Sequence, residues 1–188
     1  MEDCNLSCLP KEVGNLLSLE TLDLGGNNLH TLPDSICNLS CLKYLNLRGC
    51  NVSHLPSEIG RLISLETLDL HGNNLCTLPD SVCNLSRLKK LYLSNCNLSD
   101  LPSEIGRLVS LETLILGGSS LLTLPDSMGN LTRLENLSLI DCNVPGETGR
   151  VSLVYLNLGR NSLRTLTWEV YLIGNFGSCR QQFVYFAG

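Results

Sequence analysis

Aromatic side chains are scarce in this chain: 5% of residues, with one Trp and three Phe, against a hydrophobic content of 43%. A core drawn from that composition is aliphatic, and mostly leucine. Positive charge is short as well. Lys and Arg number 13 against 18 Asp and Glu, a net charge of −5. A nucleic-acid or anionic-membrane partner would call for a basic stripe, so neither is expected. No apolar run approaches the length of a membrane span. The opening residues, MEDCNLSCLPKEV, hold neither a basic n-region nor an apolar h-region. No secretory signal is therefore expected, and the cytoplasm is the expected compartment.

What the chain does have is a period. Residues 65–110 read LETLDLHGNNLCTLPDSVCNLSR and then LKKLYLSNCNLSDLPSEIGRLVS. Both halves carry L-x-x-L-x-L-x-x-(N/C)-x-L-x-x-L-P-x-x-(I/V)-x-x-L. The pattern restarts at Leu19, Leu42, Leu65, Leu88, Leu111 and Leu134, each 23 residues after the last, and once more at Leu153. A partial copy, 1–18, precedes them. One such unit cannot bury its own apolar edge, so units stack into an α/β solenoid in which each contacts its neighbours. Within each, L-x-x-L-x-L alternates with period two and predicts a short strand, its leucines inward. The strands form one parallel concave sheet. L-P-x-x-I predicts a short helical or 3₁₀ turn on the convex side, with proline setting φ at its start. At the ninth position stand Cys4, Asn27, Cys50, Asn73, Cys96, Ser119, Cys142 and Asn161. Buried there, they are expected to hydrogen-bond neighbouring backbone as a ladder.

A second period overlies the first. Repeats from Leu19, Leu65 and Leu111 read L-P-D-S-x-x-N-L, whereas those from Leu42 and Leu88 read L-P-S-E-I-G-R-L. The unit of duplication is thus a pair of repeats with different structural jobs. Position two alternates in charge through Glu20, Lys43, Glu66, Lys89 and Glu112, which sets carboxylates beside ammoniums and then fails at Glu135. Such exposed pairs contribute little each, but they help to hold register.

The 10 cysteines do not make a disulfide framework. Cys4, Cys50, Cys96 and Cys142 share one slot in alternate repeats. At about 4.8 Å per strand they lie about 9–10 Å apart, beyond the ~7 Å Cα limit for a bridge. Cys37 and Cys83 are separated in the same way. Reduced thiols in an intracellular compartment are expected.

Two stretches break the pattern. After Asn143 the sixth full repeat reads VPGETGRVS, a weak joint before the last repeat. From Thr167 the tail TWEVYLIGNFGSCRQQFVYFAG drops the pattern, and its VYLI and FVYF runs look strand-like. The division is a partial repeat over 1–18, repeats over 19–166 and an atypical tail over 167–188. The tail reads either as a cap over the last apolar face or as unrelated sequence.

Catalytic chemistry is not legible. GGNN and GGSS are turn glycines rather than a phosphate loop. His30, His54 and His71 lie in separate repeats, and His54 with Cys76 is too few ligands for zinc. The N-L-S sequons are products of the repeat itself. Neither an enzyme nor a cofactor is expected. The concave rows remain: the third, fifth and seventh positions of each repeat. Their large central members are Tyr44, Asn46, Arg48, Asp69, His71, Lys90, Tyr92 and Ile115. Tyr and Arg are frequent interface anchors, so a protein partner is expected on this face. The open N-terminal edge is expected to permit self-association.

The motif L-P-x-(E/S)-I-G-x-L-x-x-L-x-x-L-x-L-x-x-(N/S)-x-L resembles the Ras-group class of leucine-rich repeats. LPDSICNLSCLKYLNLRGCNV is similar to the repeats of plant intracellular immune receptors. The resemblance runs over 4–166. It implies a horseshoe that binds proteins or restrains an attached signalling module, without catalysis. A fragment of an extracellular recognition receptor is the alternative. No nucleotide-binding or Toll-type domain lies in this chain.

Overall fold

The computed structural model describes residues 4–142 and three later strands. Strands β1 (Thr21–Asp23), β2 (Tyr44–Asn46), β3 (Thr67–Asp69), β4 (Lys90–Tyr92), β5 (Thr113–Ile115) and β6 (Asn136–Ser138) begin two residues into each predicted repeat. Two more, β7 (Val151–Leu153) and β8 (Tyr155–Asn157), follow, and β9 is Val170–Leu172. β1 to β6 and then β8 form one parallel sheet in which each residue pairs with its counterpart 23 positions on, as Leu68 does with Leu91; β8 follows at 19. β9 falls in the VYLI stretch and pairs in parallel with β7 as a separate two-stranded sheet. FVYF and the broken segment 143–150 lie outside the described residues.

Alternation does what the sequence predicts. Leu22, Leu24, Leu45, Leu47, Leu68, Leu70, Leu91 and Leu93 are all buried. The convex turns are 3₁₀, at Lys11–Asn15, Asp34–Asn38, Ile59–Arg61, Asp80–Asn84, Ile105–Arg107 and Asp126–Asn130. Pro33 and Pro79 precede theirs at φ −68° and −67°. Each of β1 to β6 is left through a left-handed residue: Gly26, Gly49, Gly72, Asn95, Gly118 and Asp141 all have positive φ. Glycine, asparagine and aspartate are the residues that adopt that conformation at least cost.

Beside this turn runs a buried polar seam. Asn73 donates from Nδ2 to Leu47 O at 2.8 Å and Leu70 O at 2.7 Å. Its Oδ1 accepts from the amides of Cys50 at 3.2 Å and Val52 at 2.9 Å. Asn27 likewise accepts from Leu6 N at 2.8 Å. The thiols of Cys50, Cys96 and Cys142 donate to the carbonyls of Leu24, Leu70 and Leu116 at 2.9, 3.0 and 3.1 Å. All but the Asn73–Leu70 bond, which stays within its own repeat, tie a repeat to the one before it. The seam departs from the expected ladder at Ser119, whose buried hydroxyl makes no such bond.

The two repeat classes prove to hold different joints. Gly14, Gly60 and Gly106 lie against the carbonyls of Ser35, Ser81 and Ser127 in the next repeat, so closely that a methyl group at any of them would overlap that carbonyl. L-P-S-E-I-G-R-L therefore needs its glycine because L-P-D-S packs onto it. Ser127 Oγ donates to Ser103 O at 2.6 Å and accepts from Gly106 N at 3.2 Å. Ser35 Oγ makes the same reach to Lys11 O at 2.6 Å. The opposite joints carry ion pairs instead, Lys43–Glu20 and Lys89–Glu66, each 2.8 Å. Gly60→Ala is expected to lower stability by about 1–3 kcal/mol in urea unfolding, since the obstacle is backbone that cannot rotate away. A loss under about 0.3 kcal/mol would mean that the turns pack more loosely than described.

Candidate protein-binding face

Parallel pairing turns sequence positions into rows across the sheet. Thr21, Tyr44, Thr67, Lys90, Thr113 and Asn136 are successive partners in one row, and Asp23, Asn46, Asp69, Tyr92, Ile115 and Ser138 in the next. The eight candidate residues therefore sit on four adjacent strands and the loops after them. Arg48 and Lys90 are exposed, while Tyr44, Asp69, His71, Tyr92 and Ile115 are part-exposed. Asn46 differs, being 8% exposed.

Asn46 is turned to structural use. Its Nδ2 donates to Asp23 Oδ1 on β1 at 2.9 Å, and its Oδ1 accepts the Arg48 amide at 2.9 Å. Asp69 Oδ1 accepts the His71 amide at 2.9 Å, and Asp23 Oδ1 that of Gly25 at 3.1 Å. In the first three strands the fifth position thus braces the exit of its own strand. Sequence reasoning missed this role, though the signal was present: Asp or Asn two residues ahead of an amide in need of an acceptor. At β4 and β5 the brace is replaced by Tyr92 and Ile115, which present apolar surface instead. The face runs from a hydrogen-bonded polar half to an apolar one, with Arg48, His71 and Lys90 between.

Along one edge of the first four strands the charges are matched in two pairs. The bond to Lys89 holds the Glu66 carboxyl below its usual range, and the bond to Glu20 raises the Lys43 ammonium. Chemistry of other kinds is thin. Among the described residues no three of His, Cys, Asp and Glu come together as metal ligands. His54 Nδ1 lies 2.9 Å from Ser53 Oγ. No disulfide links the described cysteines. Burial, then Asp34, pushes the Cys37 thiol up to about 11, and burial raises Cys50, Cys83, Cys96 and Cys142 too. These are protonated, unreactive thiols at neutral pH. No helix among the described residues is long and apolar enough to cross a membrane.

Family models described as "Leucine rich repeat" and "Leucine-rich repeat region" match residues 2–52 and 34–98. The chain is a leucine-rich-repeat protein. Its solenoid superposes on a leucine-rich-repeat protein of Leptospira interrogans at TM-score 0.79 and 35% identity, over 88% of this chain and 43% of that one. A plant peptide hormone receptor, RGFR1, in complex with RGF2, matches at TM-score 0.68 and 32% identity, over 83% of this chain and 27% of the receptor. Among curated proteins, TMV resistance protein N of Nicotiana glutinosa is 49% identical over 47 residues. The disease resistance-like protein DSC1 of Arabidopsis thaliana is 44% identical over 45. Each match takes in 24% of this repeat protein and 4% of the relative. Over those stretches the repeats are similar to those of plant disease-resistance proteins, and a leucine-rich-repeat solenoid is a protein-interaction module.

Proposed function

We propose that this leucine-rich-repeat protein binds a protein partner on its concave face, without catalysis, in intracellular signalling or immune recognition. What carries the reading is the register that sets Tyr44, Asp69, Lys90, Tyr92 and Ile115 on neighbouring strands, with Arg48 and His71 in the loops just after two of them. The leucines between them make the core, and the side chains of Arg48, His71, Lys90 and Tyr92 lie outside it. Hot spots are few and central, and Tyr and Arg predominate among them. With the full chain as bait and the captured partner in titration, Arg48→Ala and Tyr92→Ala are each expected to weaken binding by about 1–2 kcal/mol or more. Ser57→Ala, on the convex side, is expected to leave it unchanged, and circular dichroism to show all three folded. Loss of binding in the convex variant alone would place the working face elsewhere.

The intracellular setting is supported by the seam, which uses Sγ–H as a donor at Cys50, Cys96 and Cys142. Oxidation would remove that proton. In native protein, iodoacetamide is expected to label exposed Cys8, Cys41 and Cys76 and to spare Cys37, Cys50, Cys83 and Cys96 until unfolding, as read by mass spectrometry. The likeness to a peptide hormone receptor favours the second reading, a fragment of an extracellular receptor. Thiols lost to disulfides in protein made without reductant would move the argument to that side.

A further inference from the structure

Two repeats of the same class, 65–87 and 111–133, can be compared joint by joint. Both receive a convex glycine from the repeat before, Gly60 onto Ser81 and Gly106 onto Ser127. Both also share the strand pairing and the thiol bond from the following repeat, Cys96 to Leu70 O and Cys142 to Leu116 O, but three other ties differ. In the first, Asn73 makes four bonds across the seam, three of them to the preceding repeat. In the second, Ser119 occupies that slot, and a single hydroxyl cannot span the carbonyls of Leu93 and Leu116 and the amides of Cys96 and Leu98. On the far side, Glu66 pairs with Lys89 at 2.8 Å. Glu112 instead faces Glu135 in the corresponding place, and like charges repel. On the convex side, buried Cys83 is replaced by exposed Gly129.

We propose that repeat 111–133 is a hinge in the solenoid. It is held at the convex turn by Gly106 and Ser127, and it is slack along the seam and at the charged edge. Opening there would swing Ile115 relative to Tyr92 and so change the curvature of the face that carries both, while the repeats before it move as one body.

Hydrogen exchange on the full chain tests this with an internal control. The amides of Leu93 and Asn95 bond to Ile115 O and Gly117 O at 2.7 and 2.8 Å. Those of Leu47 and Gly49 bond to Asp69 O and His71 O, both at 2.8 Å, across the equivalent joint. Equal geometry would give equal protection in a uniform solenoid. The hinge predicts exchange at least about tenfold faster at Leu93 and Asn95. Ser119→Asn is expected to bring the two pairs within about threefold of each other. Glu135→Lys, a surface change that serves if the first variant fails to fold, is expected to slow the amides of Glu135 and Asn136, which bond to Glu112 O at 2.9 Å. Equal exchange at the two joints in the natural chain would overturn the hinge. So would a smooth rise toward the C-terminal repeats that neither variant alters.

Discussion

Replacing Asn73 by alanine is expected to lower the free energy of unfolding by about 3 kcal/mol or more. The side chain is 2% exposed, and its two heavy atoms satisfy four backbone groups from two repeats. Alanine keeps the fold's geometry and strands the Leu47 carbonyl and the amides of Cys50 and Val52, while Leu70 O keeps the Cys96 thiol. Each buried group so stranded costs about 1–3 kcal/mol. Some relaxation is expected, which puts the total nearer the lower end than three full penalties. Asn74→Ala, one residue on and exposed, supplies the control and should change stability by less than about 0.5 kcal/mol. Urea unfolding of the two variants settles the matter. If Asn73→Ala costs under about 1 kcal/mol, the seam is not what joins the repeats.

Leu91→Ala is the second large effect, expected to cost about 2–5 kcal/mol. Leu91 is fully buried at the middle of β4 and pairs in register with Leu68 on one side and Leu114 on the other. The size of such a loss depends on how far the surroundings collapse into the space left behind. Here collapse is limited, because strand spacing is set by backbone hydrogen bonds on both sides and cannot shrink around one missing side chain. Leu122→Ala, at a residue 67% exposed, should be near neutral. A change below about 0.5 kcal/mol for Leu91→Ala in denaturant would contradict its assignment to the core.

The period of 23 by itself determines the fold, the positions of β1 to β6 and the rows of the concave face. The reason is physical: in a solenoid each residue's neighbours are its counterparts one repeat away, so spacing along the chain is also position in space. Tyr44, Arg48 and Lys90 could be placed on that face from the pattern alone, as could the burial of Leu91. What tertiary structure decided lies at the joints, where two repeats meet through particular atoms. Asp23, Asn46 and Asp69 alternate like any outward residue, and only their bonds to Gly25, Arg48 and His71 make them braces. The charge alternation was visible, but not that it resolves into two separate pairs at alternate joints. The glycine of L-P-S-E-I-G-R-L was visible as well, and nothing in its own repeat explains it. Its cause is the carbonyl of a serine 21 residues on, a contact set by how closely the convex turns stack rather than by any local preference.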